Sequence, residues 1–281
     1  GNDNGNTLIP VDTEGYADYA KVRDALATAK SALSATTLKP ATALPGGRQY
    51  ALAPELLPLM PIFDKGRLAV QLNVGPLIQP TTVAQYNNRS APLPPKLFSH
   101  NDQQSVWQSS QAEGSTRGWG GTLGDLAMSS NGGGANFTCI SVSGNAVFLS
   151  GANAVPYRVS TKGAIPIEPF NDWLCGKLGS CGDALRTLIT EPRSHMFENE
   201  LNLVAQRSIS AQGVVSGALS GATRSEAAFA NAASDNKLAA QLKVVAKMIE
   251  GNASIGAKRQ VFMVSLGGFD THDNMKEIHP K

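Results

Sequence analysis

The 281-residue chain has a formal net charge of +2, with 24 Lys and Arg against 22 Asp and Glu. Charged residues make up 16% of it, compared with about 25% in an average globular protein, which favours an exported protein with a weakly charged surface. The Lys and Arg residues form no basic stripe, which argues against a nucleic-acid partner. No apolar run reaches the roughly 18 residues of a membrane span.

The first part of the chain predicts one helix and one buried strand. Asp12 or Thr13 is suited to cap a helix over about residues 16–33, which has an apolar face. Residues 68–74 are apolar nearly throughout, as expected of a parallel strand that is covered on both faces.

The middle of the chain, residues 77–170, is predicted to be an irregular insertion rich in Gly and Pro. A short helix is expected over residues 100–111, and strands over 137–142 and 146–149. Eight glycines fall in residues 114–134, but the Lys-Ser/Thr that closes a phosphate-binding P-loop is missing. These glycines therefore indicate turns and close helix packing.

Helical patterning dominates from Asp183 onward. A long helix over residues 225–249 leads into an apolar strand over 261–266, and two glycines end that strand. A helix that leads into a buried strand is typical of βαβ units. We therefore predict an α/β fold with a mainly parallel central sheet flanked by helices, in a single domain over residues 1–281.

The cysteines and tryptophans each allow two interpretations. Cys175 and Cys181 could close a small disulfide loop in an oxidising compartment, or could be small residues of a Gly-rich turn, and Cys139 is expected to be buried and unpaired. The three tryptophans are expected in the core. The alternative is a carbohydrate-binding surface formed by the faces of Trp107, Trp119 and Trp173.

The loop after the predicted strand at 261–266 is a candidate metal site. It places Asp270, His272 and Asp273 within four residues, and carboxylates with imidazole suit zinc, manganese or iron. In open α/β sheets, ligands bind beyond the carboxyl ends of the strands. The alternative is that these residues only cap the helix that follows.

Two further clusters carry groups with possible chemical roles. Asp3 lies in the glycine-flanked opening, residues 1–6, for which a flexible terminus is the alternative. Ser99 directly precedes the helix predicted at 100–111, where a helix N-terminus favours a bound anion such as phosphate or sulfate. The alternative role for Ser99 is that of an ordinary N-cap.

Four motifs together resemble domain-of-unknown-function family 1501, a distant relative of alkaline phosphatases and sulfatases. They are Gly-Asn-Asp-Asn-Gly-Asn at 1–6, Asn-Val-Gly-Pro at 73–76, Phe-Ser-His-Asn-Asp-Gln-Gln at 98–104 and Gly-Gly-Phe-Asp-Thr-His at 267–272. They occur in the family's order along the whole chain. Each motif is weak alone, and the combination is specific.

The resemblance implies an alkaline phosphatase-like α/β/α fold, incomplete at both ends, in a protein exported to the periplasm or beyond by a twin-arginine signal. It implies Ser99 as the nucleophile and Asp3, Asp270 and His272 as ligands of a divalent metal such as zinc, manganese or calcium. The substrate would be a small or polymer-linked phosphate or sulfate ester.

The sequence departs from the family pattern at two places. Family members have a strand before the first motif, and they carry further ligands after the last one, so the chain to Lys281 is expected to hold an incomplete metal site. The alternative function is a non-catalytic extracellular structural or binding protein that reuses the fold.

Overall fold

A computed structural model of the protein describes residues 4–71, 74–111, 113–144, 146–164, 180–269 and 273–278. The chain forms two compact units, one from residues 1–74 and 267–281 and the other from residues 75–266. The single domain predicted over residues 1–281 stays a prediction.

Helices and strands are numbered in chain order within the described residues. The helices are α1 (Asn4–Thr7), α2 (Thr13–Arg23), α3 (Met60–Asp64), α4 (Val83–Asn87), α5 (His100–Ser109), α6 (Trp119–Asn131), α7 (Ser180–Thr190), α8 (Met196–Gly221), α9 (Thr223–Ala228), α10 (Lys237–Glu250), α11 (Asn252–Ile255) and α12 (Met275–Ile278). The strands are β1 (Leu8–Pro10), β2 (Tyr50–Leu52), β3 (Cys139–Ser141), β4 (Tyr157–Ser160), β5 (Gly163–Ala164) and β6 (Val261–Met263).

The first unit is built on the antiparallel pair β1 and β2, in which Ile9 lies opposite Ala51. Helix α2 packs beside this pair, and Ile9 and Ala51 are buried together with Tyr19 and Leu33. Asp12 caps α2 as predicted, since its side chain accepts a hydrogen bond from the backbone N–H of Gly15. This cap fixes where the helix begins.

Two predictions for the first unit are wrong. The helix predicted to reach residue 33 ends at Arg23, where Asp24 turns into positive φ at +45° and Val22 is exposed rather than packed. Residues 68–71 and 74 of the predicted strand lie in no strand, and Val70 and Val74 are exposed. An apolar run forms a strand only where a partner strand and a core are available to it.

The second unit contains a mixed four-stranded sheet in the order β5–β4–β3–β6. Strand β3 pairs in parallel with both β4 and β6, whereas β4 pairs antiparallel with β5. The protein is therefore a mixed α/β protein. The strand predictions at 137–142 and 261–266 are confirmed in shorter form by β3 and β6, but residues 147–149 form a 3-10 turn instead of a strand.

Helices α8 and α10 share a buried core with this sheet. Val215, Val244 and Met248 are buried in the same core as Ile140 of β3. The helix predicted over residues 225–249 is in fact two helices, α9 and α10. Asn236 divides them, because its side chain accepts a hydrogen bond from the N–H of Ala239 and so caps a new helix.

Helix α6 approaches the segment after it so closely that only glycine fits. A Cβ at Gly121 would lie 2.1 Å from the carbonyl carbon of Ser150, and a Cβ at Gly124 would lie 2.3 Å from the sulfur of Cys139. The predicted role of these glycines in close helix packing is confirmed.

Two buried side-chain amides hold the ends of β6. Asn131 accepts hydrogen bonds from the N–H groups of Lys258 and Arg259 and donates to the carbonyl of Arg259. At the other end, Gln241 donates to the carbonyl of Ser265 at 2.8 Å and accepts from its N–H at 2.9 Å. Both amides act as partners for backbone groups that β6 leaves unpaired.

Among the described residues, none of the helices is long and apolar enough to cross a membrane.

Candidate functional site

The structure describes one of the four predicted site residues. Ser99 lies in the second unit, directly before α5. Asp3, Asp270 and His272 lie outside the described residues, as does Cys175, and the side chain of Cys181 is not described either. The predicted metal site and disulfide therefore stay predictions.

Ser99 is the N-cap of α5. Its hydroxyl accepts from the backbone N–H of Asp102 at 3.4 Å and donates to the carboxylate Oδ2 of Asp102 at 2.7 Å. The capping role that the sequence left open is thus observed. The same hydroxyl also has a defined proton acceptor, which is the arrangement that orients a serine oxygen.

Asp102 is the centre of this small network. Its side chain is buried, and besides Ser99 it contacts the N–H of Glu113 at 3.3 Å and the ammonium group of Lys96 at 3.8 Å. The hydrogen bond from Ser99 is the main cause that lowers the pKa of Asp102, and Glu113 and Lys96 act in the same direction. The lowered pKa favours the ionised carboxylate, which links the start of α5 at Ser99 to the segment after the helix at Glu113.

The chain enters Ser99 through an unusual backbone turn. Phe98 has a φ of +75°, in a region that bulky residues rarely occupy, and its side chain is exposed. Its ring meets that of Tyr86 edge-on, with centroids 5.9 Å apart. This turn lies directly before Ser99, the N-cap of α5.

A cavity of about 450 Å³ lies within the first unit. Its lining comes from both ends of the chain, because Asn6 belongs to the opening motif and Phe269 to the Gly-Gly-Phe-Asp-Thr-His motif. The described lining residues are Asn6, Thr7, Leu26, Ala27, Thr28, Ala53, Glu55, Leu56, Phe269, Met275 and Lys276. Two motifs more than 260 positions apart in the sequence therefore border one cavity.

Asn6 is held firmly in the wall of this cavity. Its side-chain oxygen accepts from the hydroxyl of Tyr19 at 2.5 Å, and its side-chain nitrogen donates to the carbonyl of Leu26 at 3.0 Å. The Tyr19 hydroxyl also accepts from the N–H of Thr28 at 2.8 Å. Both polar atoms of the Asn6 amide therefore have hydrogen-bond partners within the first unit.

The polar groups around the cavity are of mixed charge. Glu55 and Lys276 line it and are exposed. No group of three His, Cys, Asp or Glu side chains converges as a metal site within the described part of the chain. The donors that the sequence predicts for a metal belong to residues outside that part.

Cys139 lies in β3 as the sequence predicted, buried and unpaired. Burial, and to a lesser extent the negative charge of Asp125, raises the pKa of its thiol to about 11. A thiol of this kind is a packing residue and not a nucleophile.

Two hydrogen-bonded pairs around these candidate residues were not predicted from the sequence. Asp102 stands three residues after Ser99, and the Ser-x-x-Asp spacing of a capping box was the available signal for this pair. Tyr19 and Asn6 are 13 residues apart, and no local pattern predicts that they share a hydrogen bond.

Comparisons with known proteins found no relative of the chain. No protein-family model and no curated protein matches the sequence, and no solved structure matches the fold. The function therefore has to be inferred from the chain's own residues and motifs.

Proposed function

We propose that the protein is an exported, metal-dependent hydrolase of phosphate or sulfate esters, related to family 1501 and the alkaline phosphatases. The observation that supports this most is the cavity of the first unit. It is bordered by Asn6 of the first motif and Phe269 of the last, the two motifs in which the resemblance places metal ligands.

The proposed ligands are close neighbours of these lining residues in the sequence. Asp3 precedes Asn6 by three positions, Asp270 follows Phe269 directly, and His272 precedes Met275 by three. Two carboxylates and an imidazole form a donor set that suits zinc or manganese, and carboxylates also suit calcium. We therefore assign Asp3, Asp270 and His272 as ligands of a divalent metal.

A divalent metal supplies positive charge that stabilises the oxygens of a phosphoryl or sulfuryl group during transfer. Ser99 is the proposed nucleophile, an assignment that rests on the resemblance. The Ser99 hydroxyl donates a hydrogen bond to Oδ2 of Asp102. Because the pKa of Asp102 is lowered, this carboxylate is a weak base, and it orients the serine oxygen rather than removing its proton.

The finer fold assignment belongs to the same proposal. The parallel pairs β3–β4 and β3–β6, with α8 and α10 packed on their core, are the pairings that an alkaline phosphatase-like α/β/α sheet requires. On this proposal β5 is an antiparallel edge strand, a common addition to parallel sheets.

One observation favours the alternative, a non-catalytic structural or binding protein that reuses the fold. Ser99 already caps α5 and tethers Asp102, so its place at the helix start is explained without any chemistry.

An assay on the full-length gene product separates the two functions. The hydrolase proposal predicts release of nitrophenol from 4-nitrophenyl phosphate or sulfate in the presence of zinc, manganese or calcium. It also predicts that Ser99→Ala reduces turnover to background, whereas Ser109→Ala, at the other end of α5, leaves it unchanged. Full turnover by Ser99→Ala would remove Ser99 as the nucleophile, and inactivity of the parent with every metal would favour the non-catalytic alternative.

A further inference from the structure

Two tryptophans lie on the surface of the second unit, contrary to the expectation that tryptophans fill the core. Trp107 is 51% exposed and Trp119 is 50% exposed. Trp173, the third, lies outside the described residues. Large aromatic rings that stay half in water often mark binding surfaces, because their burial is left to a ligand.

The ring of Trp119 is held in a fixed position next to Trp107. The indole N–H of Trp119 donates to the backbone carbonyl of Trp107 at 2.9 Å. The Trp119 ring also packs edge-on against Phe148, with centroids 4.4 Å apart. Gln108, next to Trp107 in α5, accepts from the N–H of Phe148 at 3.1 Å. The Trp119 ring is therefore ordered before any ligand arrives, which lowers the entropy cost of binding at this ring.

A small cleft adjoins Trp107. It has a volume of about 290 Å³ and is lined by Gly75, Pro76, Val106, Trp107 and Ser110. This volume is at the lower end for ligand sites, which suits a single small ring. Its described lining residues include one aromatic and one hydroxyl residue and no charged one. These residue types suit a neutral ligand that has both apolar and hydrogen-bonding groups.

We propose that Trp107 and Trp119 form a carbohydrate-binding surface, with one sugar ring of a neutral β-1,4-linked glucan seated in the cleft beside Trp107. In such a glucan the ring hydroxyls are equatorial, so both faces of each ring present only C–H groups. These faces stack on the electron-rich face of an indole, and the hydroxyls at the ring edge remain free to bond with Ser110 and water.

Two features of the site favour a sugar over a charged or purely apolar ligand. The lining residues that the structure describes include none of the Arg or Lys side chains that phosphate or nucleic acid requires. Lipid would be expected to bind a larger and continuously apolar surface flanked by basic residues, as membrane-surface sites have. This proposal does not depend on ester hydrolysis, because binding is measured without turnover.

The test is titration of the purified protein with cellohexaose, followed by calorimetry and by ¹⁵N resonances of the indole groups. We expect saturable binding, with the indole resonance of Trp107 shifting most. Trp107→Ala, which keeps the backbone carbonyl that Trp119 needs, should weaken binding about tenfold or more. Trp107→Phe should retain part of the affinity because it still offers an aromatic face.

Phe197→Ala is the matched control, since Phe197 is 73% exposed on α8 and belongs to no tryptophan pair. It should bind cellohexaose as the parent does. The proposal is overturned if the parent does not bind cellohexaose at millimolar concentration, or if Phe197→Ala loses as much affinity as Trp107→Ala. It is also overturned if the Trp107 indole responds to phosphatidylcholine vesicles and not to the sugar. The indole shifts in the parent decide the matter even if a variant fails to fold.

Discussion

The hydroxyl of Ser99 donates to the buried carboxylate of Asp102 at 2.7 Å, while the N–H of Asp102 points back to the same hydroxyl at 3.4 Å. This reciprocal pair closes the first turn of α5 and fixes the rotamer of Ser99. The pair has consequences that can be measured without any substrate.

The first prediction concerns the acid response of this pair. Ser99→Ala removes the main cause that lowers the pKa of Asp102, so that pKa should rise towards its ordinary value. Loss of the N-cap should also cost about 1 kcal/mol of unfolding free energy at neutral pH. The check is the carboxyl ¹³C titration of Asp102 in both proteins.

The sign of the pH dependence follows from the lowered pKa. A depressed folded-state pKa adds stability above the unfolded value of about 3.9, and that stability is lost as the pH falls through the folded value. The difference between the parent and Ser99→Ala in urea unfolding should therefore be larger at pH 6 than at pH 2.5. Equal stability differences between the parent and Ser99→Ala at the two pH values would contradict this prediction.

A second prediction compares two helical glycines. Gly121→Ala would bring a Cβ to 2.1 Å from the backbone of Ser150, so we expect a loss of about 1–3 kcal/mol in unfolding free energy. A Cβ at Gly217, in α8, meets nothing within 4 Å, and Gly217→Ala should stabilise the protein by up to about 1 kcal/mol. Thermal or urea unfolding measures both. A neutral Gly121→Ala would show that α6 does not lie as close to the 147–151 segment as described.

A third prediction tests the two amides that hold β6. Gln241→Ala leaves the N–H and carbonyl of Ser265 without their partner, and Asn131→Ala does the same at Lys258 and Arg259. Each substitution should lower the free energy of unfolding by about 1–3 kcal/mol. The effect of Asn131→Ala should be the larger one, because the Asn131 side chain makes more hydrogen bonds than that of Gln241.

Amide hydrogen exchange separates these two effects. Exchange at Ser265 should accelerate in Gln241→Ala alone, and exchange at Lys258 and Arg259 in Asn131→Ala alone. Acceleration at both ends of β6 in either variant would indicate that the strand opens as a unit and that the amides do not act locally.

A fourth prediction concerns Cys139. In a Cys175→Ser and Cys181→Ser double variant, its thiol is the one cysteine left, and a pKa of about 11 keeps it protonated at pH 8. It should not react with Ellman's reagent in the native protein and should react fully in guanidinium chloride. Rapid labelling of the native protein would show that β3 is accessible.

Local patterns in the sequence predicted a part of this structure. The caps at Asp12 and Ser99, the strands β3 and β6 and the close packing of the α6 glycines all follow from side-chain chemistry within a few residues. The run at 68–74 was misleading because apolar composition does not reveal whether a strand finds a partner. The break between α9 and α10 depends on one capping residue, Asn236, inside an otherwise helical pattern.

The candidate sites show the same limit. The Ser99–Asp102 pair could have been predicted from the sequence, since both residues lie in one helical turn. The cavity shared by Asn6 and Phe269 depends on tertiary folding, which motif order suggests and does not determine. Trp107 and Trp119 were expected in the core, with an exposed binding surface as the alternative, because composition does not reveal which large rings remain at the surface.

The most direct test of the proposed function is the metal content of the full-length gene product, with and without Asp270→Asn. This substitution keeps the size of the side chain and removes the charge that would hold the ion. The proposal predicts that the parent binds zinc, manganese or calcium after equilibrium dialysis, and that bound metal falls sharply in Asp270→Asn but not in Asp273→Asn. A parent without bound metal, or an Asp270→Asn protein with unchanged metal content, would contradict it.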